Sequence, residues 1–150
     1  MTDPRAGLRL STDTAEMDAD AIHAYLSGES YWAAGIPRDV VERAIRHSLC
    51  FGIFDGDAQV AFARVITDRA TYAYLADVYV LRPYRGRGLS KWMMEAVLAH
   101  PELQGLRRWQ LMTKDAQGLY ARYGFTPPAH PDRCMERTVP NIYAPPPAKG

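Results

Sequence analysis

Arg85, Gly86, Arg87, Gly88, Leu89 and Ser90 fall in one short stretch, Leu81 to Val97, which joins an apolar run to an amphipathic pattern. Two glycines two apart let backbone amides approach a bound group. The start of a helix adds unpaired N–H groups and a dipole that favours negative charge. Arg85 and Arg87 add side-chain charge if they face the same way, and the alternative for them is a solvated surface pair. The arrangement is an anion cradle. Leu89, Trp92, Met93, Ala96 and Val97 follow at helical spacing, so one face of that helix is buried and its first turn is aimed rigidly.

Two common phosphate loops do not match. The triphosphate loop needs Gly-Lys followed by Ser or Thr, whereas Ser90 precedes Lys91 here. The dinucleotide fingerprint needs a third glycine where Lys91 stands. Other side chains able to do chemistry are Asp77, in the apolar run upstream, and an aromatic set. Tyr72 and Tyr74 share the run with Asp77. Tyr31 and Trp32 sit in a segment without period, where they either pack under a loop or line a pocket.

The elements that position these groups follow from periodicity. Leu8 and Leu10 alternate in a first strand over residues 7–11. Met17, Ala21, Ile22, Tyr25 and Leu26 predict a helix capped by Thr12 or Thr14 and ended by Gly28. Pro37 opens a second helix to about Ser48. Cys50 to Phe54 and Ala58 to Thr67 read as a hairpin about Asp55-Gly56-Asp57, and Thr71 to Leu81 as a further antiparallel strand. After the central helix, Arg108 to Thr113 predicts a strand reached by a crossover, hence parallel to the Thr71 run. Asp115 is expected to cap a short helix carrying Leu119, Tyr120 and Tyr123 and stopped by Gly124. A last strand is expected around Met135 to Val139. Residues 1–139 are read as a single domain and 140–150, with Pro145-Pro146-Pro147, as an extended tail.

Composition narrows the classes. A chain of 150 residues suits one domain, and 18 Lys and Arg against 17 Asp and Glu leave a formal charge of +1. That balance argues against nucleic acid or an anionic membrane as main partner. Neither a signal-peptide pattern nor a membrane-length apolar run is seen, so a cytoplasmic location is expected. Cys50 and Cys134 are far apart and give neither a disulfide framework nor a metal motif, so no metal is expected.

The stretch Arg85-Gly86-Arg87-Gly88-Leu89-Ser90 resembles the coenzyme-A loop of the GCN5-related N-acetyltransferase superfamily, Arg/Gln-x-x-Gly-x-Gly/Ala, with Ser90 in the last position. Leu119-Tyr120-Ala121-Arg122-Tyr123-Gly124-Phe125 resembles its Leu-Tyr-x-x-x-Gly-Phe segment, and the resemblance covers residues 7–138. It implies an α+β fold: a central, mostly antiparallel mixed sheet splayed between its fourth and fifth strands, with flanking helices. It also implies acetyl-CoA as co-substrate, pantetheine pairing with Val78, Tyr79 and Val80, and pyrophosphate on residues 85–90.

The implied reaction is direct acetyl transfer to a primary amine. A free alkylamine with pKa of about 10.4 is neutral in roughly one molecule in 2,500 at pH 7, a handicap of about 4.6 kcal/mol. Asp77 is the candidate base. In polyamine acetyltransferases of the superfamily Leu-Glu-Asp stands where this chain has Leu75-Ala76-Asp77, so the glutamate used there is Ala76 here. Water relayed from Asp77, Tyr74 or a backbone carbonyl is the other route, and a purely structural Asp77 is the third. Tyr120 occupies the position of the acid that protonates the leaving thiolate, and it also contacts the cofactor. Substrate contacts fall to Tyr31, Trp32, Tyr72 and Tyr74. A small-molecule acceptor comes first. A protein lysine or N-terminal acetyltransferase and a non-catalytic acyl-CoA sensor are the alternatives, and a homodimer is compatible with all three.

Overall fold

The computed structural model describes residues 5–144. The expected hairpin forms from β2 (Leu49–Asp55) and β3 (Ala58–Thr67), with Asp55 opposite Ala58. Gly56 takes φ 59°, the left-handed value that a two-residue hairpin turn requires. β1 (Leu8–Ser11) pairs antiparallel with β2, and β4 (Tyr72–Val80) pairs antiparallel with β3. The chain then crosses through α3 (Leu89–Ala99) to β5 (Arg108–Leu111), which lies parallel to β4 and completes a five-stranded sheet in the order β1-β2-β3-β4-β5. This is the expected α+β architecture.

Two irregularities in β4 matter most. Pairing with β5 runs from Tyr72 opposite Arg108 to Leu75 opposite Leu111 and stops there, while β4 continues to Val80. The sheet therefore opens between its fourth and fifth strands. In addition, Arg64 stands opposite Ala76 and Phe62 opposite Tyr79, so Ala63 faces both Asp77 and Val78. That is a two-against-one bulge, and Asp77 sits in it at φ 54°, a region open to few residue types besides glycine. The bulge shifts the side-chain phase. Before it Ala73 and Leu75 point to one face; after it Val80 takes that face and Tyr79 the other.

Each sheet face buries its own cluster. On one, Phe51, Ile53, Val65 and Leu75 pack against Met93, Met94 and Val97 of α3. On the other, Cys50, Phe54, Phe62 and Tyr79 pack against Ile22, Tyr25 and Leu26 of α1 (Ala19–Gly28) and Val41 and Ile45 of α2 (Arg38–Arg46).

Several local expectations are corrected. The first helix does not start at Thr12 or Thr14. A 3-10 turn occupies Thr14–Glu16 under an Asp13 cap, and α1 begins after Asp18, whose carboxylate accepts from Ala21 N at 3.1 Å. Either aspartate does the capping assigned to threonine. α4 (Gln117–Ala121) follows Ala116, whose N–H donates to Thr113 Oγ1 at 3.0 Å, so Thr113 and not Asp115 serves its start. Met135 to Val139 form no strand: Met135 is 95% exposed, and the segment has no sheet partner to satisfy its backbone among the described residues. The start of the tail is held down, because residues 140–143 form a turn and Tyr143 packs on the α1/α2 cluster. Pro145-Pro146-Pro147 lie outside the described residues.

Candidate active site

The predicted cradle is a cavity of about 310 Å3 lined by Val80, Arg85, Gly86, Gly88, Leu89 and Ser90. Tyr84, Lys91, Leu119 and Arg122 complete its wall. Gly86 and Gly88 adopt φ 79° and 74°, and Gly88 is the N-cap of α3. A β-carbon on either would meet nothing within 4 Å, so both are needed for backbone curvature and leave open space over the loop. The first bond across the helix start runs from Trp92 N to Gly88 O at 3.0 Å, so the amides of Leu89, Ser90 and Lys91 precede it and point along the helix axis into the cavity. With Lys91 and Arg122 beside them, this surface suits a polyanion such as a pyrophosphate.

Arg85 lines the cavity with its side chain turned inward. Its Nε donates to Val80 O at 2.9 Å and its Nη2 to Tyr25 OH at 3.2 Å. Tyr25 in turn stacks on Tyr79 with centroids 3.9 Å apart. Arg85 thus ties the loop to β4 and α1. Arg87 lies over the Tyr84 ring at 5.5 Å, and the Tyr84 hydroxyl donates to Asp55 at 2.7 Å.

The cradle opens beside the split. Leu81 N donates to Val60 O at 2.9 Å, and antiparallel alternation then turns the backbone groups of Tyr79 toward β3 and those of Val78 and Val80 toward the gap. Tyr120 belongs to the α3-side cluster, with its ring edge-on to Phe125 at 6.1 Å. Burial, and next the nearby Tyr31, hold its hydroxyl above the ordinary tyrosine range, so it is a proton donor at neutral pH. Among the described residues its hydroxyl takes no hydrogen bond, and no buried polar side-chain atom lacks a partner. That hydroxyl therefore reaches open space.

Asp77 is on the opposite, α1/α2 side. Its Oδ2 accepts from Arg64 Nε at 2.8 Å, its Oδ1 from Trp32 Nε1 at 2.8 Å, and Arg64 Nη1 donates to Ser48 Oγ at 3.1 Å. The Arg64 and Asp77 side chains are only 16% and 11% exposed. Burial is the main reason the Tyr74 hydroxyl is pushed upward; Tyr72 and then Asp77 add to the rise, and Arg64 opposes it. Tyr31, Trp32, Tyr74 and Asp77 are thus brought together. Tyr72 lies near Tyr74, but its hydroxyl is engaged elsewhere: it donates to Gln110 Oε1 at 2.6 Å and closes the paired end of β4 and β5.

Sequence reasoning missed Arg64, Lys91, Lys114 and Arg122. Arg64 did carry a signal, as a lone charge in Ala61-Phe62-Ala63-Arg64-Val65 that must find a carboxylate when its strand is buried. Among the described residues, no group of His, Cys, Asp or Glu is arranged to hold a metal, and no helix is long and apolar enough to cross a membrane.

Comparison with known proteins points one way. A model described as the acetyltransferase (GNAT) domain matches residues 46–127. A Gibberella zeae protein provisionally named an acetyltransferase is 36% identical over 140 residues, covering 79% of this chain and 78% of its own. A crystal structure of a Xanthomonas campestris pv. campestris protein assigned to the GNAT family superposes with a TM-score of 0.90 at 59% identity, covering 92% of this chain and 97% of that one. A Clostridium acetobutylicum protein described as a predicted acetyltransferase, solved with acetyl-CoA, shares the fold, with a TM-score of 0.62 at 15% identity over 87% of this chain and 94% of its own.

Proposed function

The chain belongs to the GNAT acetyltransferase family, and on that footing we propose that it moves an acetyl group from acetyl-CoA to a primary amine of a small molecule by direct attack, in the cytoplasm. The observation that carries this reading is the cradle at the start of α3, whose wall includes Val80 at the end of β4 beyond its last pairing with β5, with Tyr120 packed on the same side of the sheet. The residues fit the co-substrate. The amides of Leu89, Ser90 and Lys91 with Arg122 would take its pyrophosphate, and the backbone of Val78 with the Val80 N–H would pair with an extended amide chain, the Val80 carbonyl being held by Arg85. Once bound, it supplies a thioester carbonyl open to attack and a thiolate leaving group.

The Val78 N–H is the donor turned toward the split, where a carbonyl gathering negative charge gains from it. As the amine nitrogen bonds to the carbonyl carbon and the carbon–sulfur bond breaks, Tyr120 gives its proton to the departing sulfur. The proton lost by the amine passes to water near Tyr74 and Asp77. Asp77 is a weak candidate for taking it directly, because both of its oxygens already accept hydrogen bonds.

Acetyl-CoA supplied with a panel of amines, with free thiol followed, tests the reading: thiol release that depends on the amine is expected. Coenzyme-A binding without turnover on any amine would instead indicate a sensor. Turnover confined to peptides would indicate a protein acetyltransferase.

A further inference from the structure

Residues 29–37 link α1 to α2, and the base of this loop is tied down. Ser30 Oγ donates to Leu26 O at 2.6 Å and accepts from Ala33 N at 3.1 Å, His23 Nε2 lies 3.0 Å from Ile36 O, and Ala33 and Ile36 are buried. Its tip is different. Tyr31 and Trp32 meet edge to face at 5.1 Å yet remain 60% and 43% exposed.

That tip touches both arms of the split. Trp32 bonds Asp77, two residues beyond the last β4–β5 pair on one arm. Lys114, three residues beyond that pair on the other arm, donates its backbone N–H to Tyr31 OH at 3.2 Å and places its ammonium over the Tyr31 ring at 5.4 Å. We infer that Tyr31 and Trp32 form a strap closed across the acceptor mouth of the split, and that an acceptor enters by replacing the Trp32 indole on Asp77 Oδ1 with an N–H donor of its own.

This rests on the acetyl-transfer reading and narrows the acceptor. Arg64 holds Oδ2 from behind, so Oδ1 is the oxygen that can change partners. With the indole gone, a largely buried carboxylate oxygen is left without a donor, which disfavours any acceptor that cannot supply one. The acceptor these contacts select is a small amine with a second nitrogen donor: one nitrogen rests on Asp77 and the other meets the acetyl carbon.

Putrescine and n-butylamine, which differ in that second nitrogen, are the probes. Trp32→Phe removes the indole N–H and keeps an aromatic ring at a partly exposed position. Wild-type protein should prefer putrescine, and its tryptophan emission should change on putrescine addition with a component that Trp32→Phe lacks. In Trp32→Phe the KM for putrescine should fall by about threefold or more, the scale of one exchanged hydrogen bond, and that for n-butylamine should fall with it, because either amine displaces the indole in the wild type; the preference for putrescine and the KM for acetyl-CoA should persist. Turnover of putrescine with the same KM in Trp32→Phe and no Trp32 emission change overturns the strap and leaves acetyl transfer standing. Loss of thiol release with both amines while the Trp32 emission change persists overturns acetyl transfer to this acceptor class and leaves the strap. Absence of both overturns both.

Discussion

The Tyr120 hydroxyl, raised by burial and next by Tyr31, stays protonated through the pH range in which amines begin to lose their protons. Tyr120→Phe should therefore lower kcat by about 100-fold, the low end for removing a positioned acid, with acetyl-CoA binding intact by calorimetry. In the wild type, kcat should show no descending limb below about pH 10, the unshifted tyrosine value. A second residue-scale effect concerns the thiols. Cys50 is buried, and desolvation pushes its pKa up to about 11, whereas Cys134 is exposed. Iodoacetamide at mildly alkaline pH should label Cys134 within minutes and Cys50 only on unfolding, as read by peptide mass spectrometry. Because the folded pKa of Cys50 is raised, its contribution to stability is complete below the unfolded value and is lost as pH rises toward the folded one. Burial shifts Tyr79 in the same sense, so thermal stability should decline in the alkaline range.

At the scale of elements, the turn into α3 and the bulge in β4 set the site. Gly88 at φ 74° is the test of the turn. Gly88→Ala should cost about 1–2 kcal/mol of stability through left-handed strain and raise the KM for acetyl-CoA more than tenfold, because the new methyl group enters the open side of the loop. A Tm change without a KM change would show that the loop does not touch the co-substrate. The turn was legible in the sequence because two glycines before a helical pattern have few other uses. The bulge was not legible, because the parity of Tyr72, Tyr74 and Tyr79 does not say which face each takes; it shows only in the register, with Arg64 opposite Ala76 and Phe62 opposite Tyr79. The Trp32–Asp77–Arg64 chain was out of reach, since it joins positions 45 and 13 residues apart through a loop without period. The missed helix caps and the absent last strand are local competitions, in which Asp18 outdid Thr14 and Met135 to Val139 found no neighbour to pair with.

For the molecule as a whole, the two clusters share the strands β2, β3 and β4 and so should melt together. Phe51→Ala on the α3 side and Phe62→Ala on the α1/α2 side should each cost about 3–5 kcal/mol and shift a single calorimetric transition, with no separate one emerging. The sheet that joins these clusters also divides the proposed site. The cradle and Tyr120 belong to the α3 side, while Trp32, Tyr74 and Asp77 belong to the other, and the split between β4 and β5 connects them. Donor and acceptor then have separate doors. Neither has to leave before the other arrives, and no acetylated form of the protein is needed to carry the group between them. Initial-rate plots against both substrates should intersect and not run parallel, and each product should inhibit competitively only against the substrate that shares its door.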